Sequence, residues 1–504
     1  MKLFRYVILT LLGALGLLCF SCIDDDITTS PSAVLTFSRD TVSFDTVFTE
    51  IGTPTARLIV RNPNKKGVSI SYIGFKDPET RYRLNVDGQS GQTFHDVEIR
   101  GRDSIYVFIE CRPEASPTSE PALIEDQLQF VTNGNTQEVT VEAWGQNVTR
   151  LHGVVMEGDM TLDATQPYVV FDSLVVSEGT TLHVTPGTRL LFHDDAKLRV
   201  EGTLDARGEA GRLIDMRGDR LDNVLPDISY DIMAGQWGGV SFAPGSFGNR
   251  MEYVNLRSSK TGVTVDSCAD LSRQKLLLVN SWLHNSQGNV LTSRYANVDA
   301  YGCVFSEAAN DVVALYGGRH KFVQCTFANY YLFSAITGSM IALYHALPED
   351  VAGSDQPLME AEFENGIIYG LGSELNEGDL TGSSVYLRRM LLGSKGEDDA
   401  NFLECIWDSD PLFYTVREDY IFDYRLRPES PAIGAGYSTY VTDLCRYDMY
   451  GLNRLAAGAP DLGAFVYVAP PPRRVISKRN IQTTPIAGRP NTDFRLIFTI
   501  SEHF

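Results

Sequence analysis

Asn280-Ser281-Trp282-Leu283, Gly302-Cys303-Val304-Phe305 and Gln324-Cys325-Thr326-Phe327 align with one another at a constant spacing of 22 residues. Each quartet closes or follows a stretch of extended character, at 275–280, 296–301 and 321–324. A fixed period in the low twenties carried by short β runs is the mark of a solenoid coil. Helical leucine-rich repeats would need a leucine ladder, which these residues lack. Three short strands per turn, wound as a right-handed parallel β-helix, satisfy the period, with equivalent side chains stacked ~4.8 Å apart. This winding predicts that Phe305 and Phe327 stack inside and that the acidic surplus lies outside.

The same texture extends in both directions. Runs at 173–176, 181–185, 189–192, 197–200 and 204–206 are punctuated by Gly179, Gly187 and Gly202. Next come Gly235-Gln236-Trp237-Gly238-Gly239-Val240-Ser241-Phe242 and Gly262-Val263-Thr264-Val265. Further on stand Asp410-Pro411-Leu412-Phe413, Asp423-Tyr424-Arg425-Leu426, Ser430-Pro431-Ala432-Ile433 and Asp461-Leu462-Gly463-Ala464-Phe465. These stretches resemble the pectate-lyase-like β-helix lipoproteins of Bacteroidetes, in which a Trp-Gly-Gly stretch precedes a coil and segments of the second kind form the closing coil. The resemblance spans residues 148–468; it implies the fold and leaves the activity open. The pattern lapses at about 344–360, and 370–384 and 393–399 look similar. Such insertions cluster on one face of a solenoid and shape a groove for a ligand.

Residues 33–147 read differently. Alternating runs at 34–37, 41–44, 56–60, 68–75, 104–111, 127–132 and 138–144 are separated by Gly52, Pro54, Asn62, Pro63, Asn64 and Gly67. That number of short strands predicts a β-sandwich. Leu58-Ile59-Val60-Arg61-Asn62-Pro63-Asn64, followed by Val68-Ser69-Ile70, resembles the small immunoglobulin-like modules of bacterial surface proteins. Such modules act as spacers or adhesive units. The expected fold class is therefore all-β, an immunoglobulin-like sandwich followed by a right-handed parallel β-helix.

The two ends are address and tail. Lys2 and Arg5 precede an apolar run at 7–20, too short to span a bilayer comfortably, and the run ends at Ser21-Cys22. This resembles a bacterial lipoprotein signal: residues 1–21 would be removed and Cys22 acylated. Asp24, Asp25 and Asp26 begin a polar tether over 22–32 and resemble the surface-export signal of Bacteroidetes lipoproteins. The expected location is the outer membrane, lipid-anchored and facing the exterior, where each buried CH2 contributes ~0.8 kcal/mol to anchoring. After Pro470, Pro471 and Pro472, residues 469–504 form a basic tail carrying Arg473, Arg474, Lys478, Arg479, Arg489 and Arg495.

Composition limits the partners. Hydrophobic residues make up 43% and charged residues 21%, which suits a folded chain. The net charge of −21 excludes nucleic acid, which needs a basic footprint, and docking on anionic lipid through charge. Removal of 1–21 takes two more positive charges away.

A β-helix hydrolase needs converging carboxylates. The polygalacturonase type shows Asn-x-Asp, Asp-Asp and Gly-His-Gly on consecutive coils. Here Asn297-Val298-Asp299 and Asp194-Asp195 occur in reverse order, and Gly318-Arg319-His320 replaces Gly-His-Gly. Asp194, Asp195, Asp205 and Asp215 are the candidate ligand or metal residues, of the hard-oxygen type that suits Ca2+. His183 and His193 lie near one another without an obvious third ligand, and Trp237 could form a sugar platform or a structural core. Cys111, Cys268, Cys303, Cys325, Cys405 and Cys445 lack metal-site spacing, and Cys303 and Cys325 read as packed interior thiols. The expected function is a non-catalytic glycan- or protein-binding accessory, partnered by a polysaccharide or an outer-membrane protein. The alternative is a polysaccharide lyase or glycoside hydrolase acting on acidic glycans.

Overall fold

A coil can close only where its corners change direction, and over 253–389 the repeat supplies a left-handed residue at one such point in successive coils. In the computed structural model Tyr253, Asn280, Gly302, Gln324, Asn365 and Arg389 have φ between +43° and +66°. Residues other than glycine occupy that region at a steric cost that Asn and Asp relieve best. At Gly302 the glycine is required, because a Cβ would lie 2.3 Å from Asn280 Oδ1 on the preceding coil.

The structure describes residues 26–49, 53, 55–225, 228–345, 358–378 and 380–470. Cys22, Asp24, Asp25, most of the loop expected at 344–360 and nearly all of the basic tail lie outside the described residues.

Between these corners, 25 strands from Thr149–Val155 to Phe402–Leu403 join in one parallel sheet. Each strand pairs with its equivalent one coil later, the arrangement of a β-helix. One interior column reads Leu256, Leu283, Phe305, Phe327, Ile368 and Leu392 in direct register. All six side chains are buried in a single core. Phe305 and Phe327 stack at 5.5 Å, 11° from parallel, and Phe322 and Phe363 at 5.1 Å. Cys303 and Cys325 are buried free thiols. Among the described residues of 148–468, three carboxylates depart from the expected outward placement of acid: Glu307, Glu364 and Asp448 are buried.

The N-terminal part is a two-sheet sandwich. One sheet orders Thr36–Phe37, Ala56–Arg61, Ser104–Cys111, Tyr82–Val86 and Gln89–Gly91. The other orders Thr41–Phe48, Asn135–Gln146, Ala122–Thr132, Val68–Phe75 and Thr93–Phe94, with Val97–Ile99 also on Val68–Phe75. Alternating residues such as Leu58, Val60, Val107, Ile109, Leu128 and Val141 meet between the sheets. Asn62 ties the loops at one end, its amide donating to the carbonyls of Lys66, Ile99 and Arg100 at 2.9–3.0 Å. Phe48 then packs on Val169 and Leu191 of the first coils, beside an Arg189–Gln146 hydrogen bond of 2.8 Å.

Two expectations need correction. Within 370–384, Ser373–Glu377 is a strand, paired in register with Ser339–Tyr344, so this segment continues the coil. The segment 410–465 is not a closing coil. Phe413–Val416 and Phe422–Leu426 form an antiparallel hairpin, after which the chain runs back across the flank of the sheet. The reason is an outward apolar stripe, Trp282, Val304, Ile367 and Leu391, which needs cover. Phe413, Tyr424, Leu426, Met449, Leu462 and Phe465 provide it.

This strap is latched to the coil corners. Tyr437 N–H donates to Asn365 Oδ1, and Asn365 Nδ2 donates to Tyr437 O. Ala464 N–H donates to Thr326 Oγ1 at 2.9 Å. Arg454, wholly enclosed, donates to Gln324 Oε1 and to the carbonyls of Gly463 and Ala464.

Candidate functional site

Alternation along a strand sends every second side chain away from the coil interior. On Val254–Arg257 these are Asn255 and Arg257; on Trp282–Ser286 they are Trp282 and His284. Register places Asn255 beside Trp282, Arg257 beside His284 and His284 beside Ser306. At the strand ends, Ser258, Asn285 and Glu307 form a second column of left-handed residues. Three further segments build walls around this surface. The turn Tyr230–Ile232 brings Asp231, the strap hairpin brings Tyr420 and Phe422, and Leu332 and Phe333 follow from the next coil. Together they enclose a cleft of about 360 Å³.

The charges here cancel in pairs. Arg257 Nε lies 2.5 Å from Asp231 Oδ2, and its Nη2 lies 3.3 Å from Asp215 Oδ2. Arg217 Nε completes the network 3.2 Å from Asp231 Oδ1. Burial pushes the Asp231 carboxyl up, but Arg257 and Arg217 outweigh it and hold the group below the usual carboxylate range. Asn285 Nδ2 donates to the carbonyls of Asp231 and Ile232, which fixes the turn over the cleft.

The acid and the imidazole are a different matter. Glu307 has 2% side-chain exposure yet lines the cleft. Its Oε1 accepts from the Tyr424 hydroxyl, and its Oε2 has no hydrogen-bond partner among the described residues. Burial pushes its carboxyl up to about 8, against smaller opposing contributions from Ser306 and Tyr424. Burial, aided by Arg257, pushes His284 down to about 3. His284 Nδ1 and Glu307 Oε2 are 3.9 Å apart. Both groups are neutral at pH 7, so this approach is not an ion pair. Trp282 packs on His284 at 4.6 Å and donates from Nε1 to Ser306 Oγ at 3.0 Å. The cleft therefore offers aromatic faces, neutral donors and acceptors, and no net charge.

Of the four aspartates singled out in the sequence, Asp215 belongs to the arginine network beneath this cleft. The structure does not bring the other three to it. Asp195 pairs with Lys260. Asp205 lies between His183 at 3.3 Å and Arg207 at 2.6 Å. Asp194 is exposed in a turn at φ +49°. Among the described residues no three His, Cys, Asp or Glu side chains converge as a metal group. Asp195, Asp205 and Asp215 face basic side chains instead of one another.

The remaining candidates make contacts within the fold. His193 pairs with Asp219 at 2.7 Å, not with His183. Trp237 is wholly interior, stacked on Phe192 at 4.1 Å with its Nε1 donating to Arg257 O. Asn297 Nδ2 caps Leu271 O, Asp299 accepts from Gln274, and the His320 ring nitrogen Nε2 sits 2.8 Å from Gly317 O. Asp26 makes an exposed ion pair with Lys66 at 3.1 Å.

Glu307 and His284 escaped the sequence reading, although the repeat contained their signal. Two residues beyond each quartet stand Asn285, Glu307 and Asn329, a polar column inside an apolar pattern.

No family model and no curated protein matches this chain. Among solved structures it is similar to a family 123 glycoside hydrolase from Clostridium perfringens, studied for glycolipid glycan hydrolysis. The identity is 6% and the TM-score 0.16, over 22% of this chain and 26% of that one. It thus spans about a quarter of that hydrolase. A second similarity is to the catalytic unit of a GH87 alpha-1,3-glucanase from Streptomyces thermodiastaticus. Here the identity is 11% and the TM-score 0.19, over 75% of this chain and 80% of that one.

Proposed function

We propose that this chain is a cell-envelope lipoprotein that binds a neutral glycan, without turnover, in the cleft formed by Trp282, His284, Glu307, Phe333, Tyr420 and Phe422. One observation carries the reading: aromatic walls surround uncharged hydrogen-bonding groups, while Asp215, Asp231, Arg217 and Arg257 neutralise one another. Pyranose rings present apolar faces and hydroxyl edges, which match aromatic surfaces and neutral donors and acceptors. The signal-like sequence ending at Cys22 supports the anchor, Asp24 to Asp26 support exposure at the cell surface, and the two-sheet N-terminal part suits an immunoglobulin-like spacer.

The hydrolase alternative is favoured by Glu307, an acid that keeps its proton at neutral pH. Hydrolysis also needs a facing carboxylate to act as base or nucleophile. Asp231, the other carboxylate lining the cleft, is held by two guanidinium groups. An acidic glycan would need an unpaired cation, and the lining cation Arg257 is paired twice.

The test is calorimetry and reducing-end analysis with neutral and acidic oligosaccharides. Saturable binding of a neutral oligosaccharide without new reducing ends supports the proposal. Release of reducing or unsaturated ends makes the chain an enzyme. Preference for uronate-containing glycans overturns the charge argument. Labelled palmitate incorporated into the wild type but not into Cys22→Ala tests the anchor.

A further inference from the structure

Within the cleft, the two atoms that face each other without meeting define a more specific site. Asn255 Nδ2 points to Asp215 Oδ1 at 3.5 Å, an orientation in which its Oδ1 faces His284 Nε2 at 3.1 Å. An amide oxygen only accepts, so the imidazole proton resides on Nε2 and Nδ1 carries a lone pair. That lone pair faces Glu307 Oε2 across 3.9 Å, too far for a direct hydrogen bond. Glu307 Oε1 is taken by Tyr424, and Oε2 is a buried polar atom with no partner among the described residues. Buried polar atoms are nearly always satisfied, so an orphan aimed into a cleft marks the place of something that binds there.

We propose that Glu307 Oε2–H and His284 Nδ1 together read a single hydroxyl group of the glycan, the carboxylic acid donating to its oxygen and the imidazole accepting its proton. An oxygen ~2.8 Å from each atom spans the gap. A hydroxyl donates and accepts through a single oxygen; an ether oxygen or a carboxylate could satisfy only Glu307. This deepens the reading of the cleft as a glycan site and rests on it. Trp282, packed on His284, positions the imidazole and offers the ring of the same sugar an apolar face.

The pair works only while Glu307 holds its proton. Around it stand His284 on the preceding coil, Tyr424 on the strap and Tyr330 on the following coil, with Arg257 and Asp231 on the far side of His284. Burial raises both tyrosines above their ordinary value, and His284 is neutral well below pH 6. Among these groups Glu307 alone changes charge between pH 7 and 9.

The experiment uses the full chain with the hexaoses of glucose, mannose, galactose and xylose as probes, titrated calorimetrically from pH 6 to 9. We expect one hexaose to bind the wild type with affinity level to pH 7 and falling at least tenfold by pH 9. Glu307→Gln, which keeps a donor, retains affinity within about threefold and shows no pH dependence. Glu307→Leu loses tenfold or more at pH 6.5. Binding by the wild type with a flat pH profile, or with Glu307→Leu unchanged, overturns the hydroxyl-reading pair and leaves the glycan site standing. A bound structure with water on the pair and the sugar elsewhere does the same. Absence of binding by all four hexaoses overturns both.

Discussion

Replacing Glu307 by Gln should make the β-helix more stable at pH 8 and leave it nearly unchanged at pH 5. The carboxyl has an ordinary value of 4.5 and is pushed by burial to about 8 in the folded chain. That gap corresponds to on the order of 5 kcal/mol of difference in ionisation between the two states. The direction follows from proton binding. Below pH 4.5 both states are protonated and the group's contribution is intact. Above it the unfolded chain releases a proton that the folded chain keeps, so stability falls as pH rises and levels off once the folded carboxyl ionises near 8. Gln keeps an acceptor for Tyr424 and cannot ionise, so its curve lacks this loss. Urea unfolding of both proteins at whole pH values from 5 to 9, following the β-helix transition, measures the difference directly. The variant should gain progressively over the wild type, by several kcal/mol at pH 8. A difference that stays constant across this range refutes the assignment of a buried, protonated acid.

His284 has the opposite sign: its folded value lies near 3 against an ordinary 6.5, so stability is lost as pH falls from 6.5 towards 3. His284→Gln should flatten that acid limb, and an unchanged limb in the same titration would count against a neutral imidazole. Arg454→Met leaves three buried acceptors unpaired and should cost about 3 kcal/mol. Hydrogen exchange should then show faster opening of 430–465 than of the coils; equal protection argues against the latch. Phe327→Ala removes a ring stacked between coils and should cost about 3–5 kcal/mol, read as a lower β-helix midpoint with the sandwich transition unmoved. Asn62→Ala should do the reverse, lowering the sandwich transition by about 2 kcal/mol because carbonyls of three residues lose their donor.

Local, repeating features of the fold were legible. The 22-residue register exposed Asn280, Gly302 and Gln324 as one column because the successive coils from Tyr253 to Arg389 place a left-handed residue at the same corner. It also placed Phe305 over Phe327, since stacked coils superimpose equivalent positions. The strap was misread because Phe413, Tyr424 and Leu462 carry the alternation of a coil while the stripe they cover, Trp282, Val304, Ile367 and Leu391, is spread over several earlier coils. Spacing reports neighbours along a solenoid and is blind to a segment that returns across it.

The candidate site was hidden for a related reason. Asp194 and Asp195 attract notice as a pair, but they sit in an exposed turn where Asp195 pairs with Lys260. Glu307 looks ordinary in sequence, and its chemistry arises from enclosure by Tyr424, 117 positions later. Burial by a distant segment leaves no local trace.

That distance also has a consequence for how the chain is made. As the polypeptide emerges from its N-terminus, the coil bearing Glu307 can form while residues 413–426 are still unsynthesised. At that stage the carboxyl faces water and is ionised at neutral pH. Docking of the strap then seals it against Tyr424 and raises its affinity for a proton. The last stage of maturation is therefore coupled to proton uptake from solvent, and it should run faster at pH 6 than at pH 8.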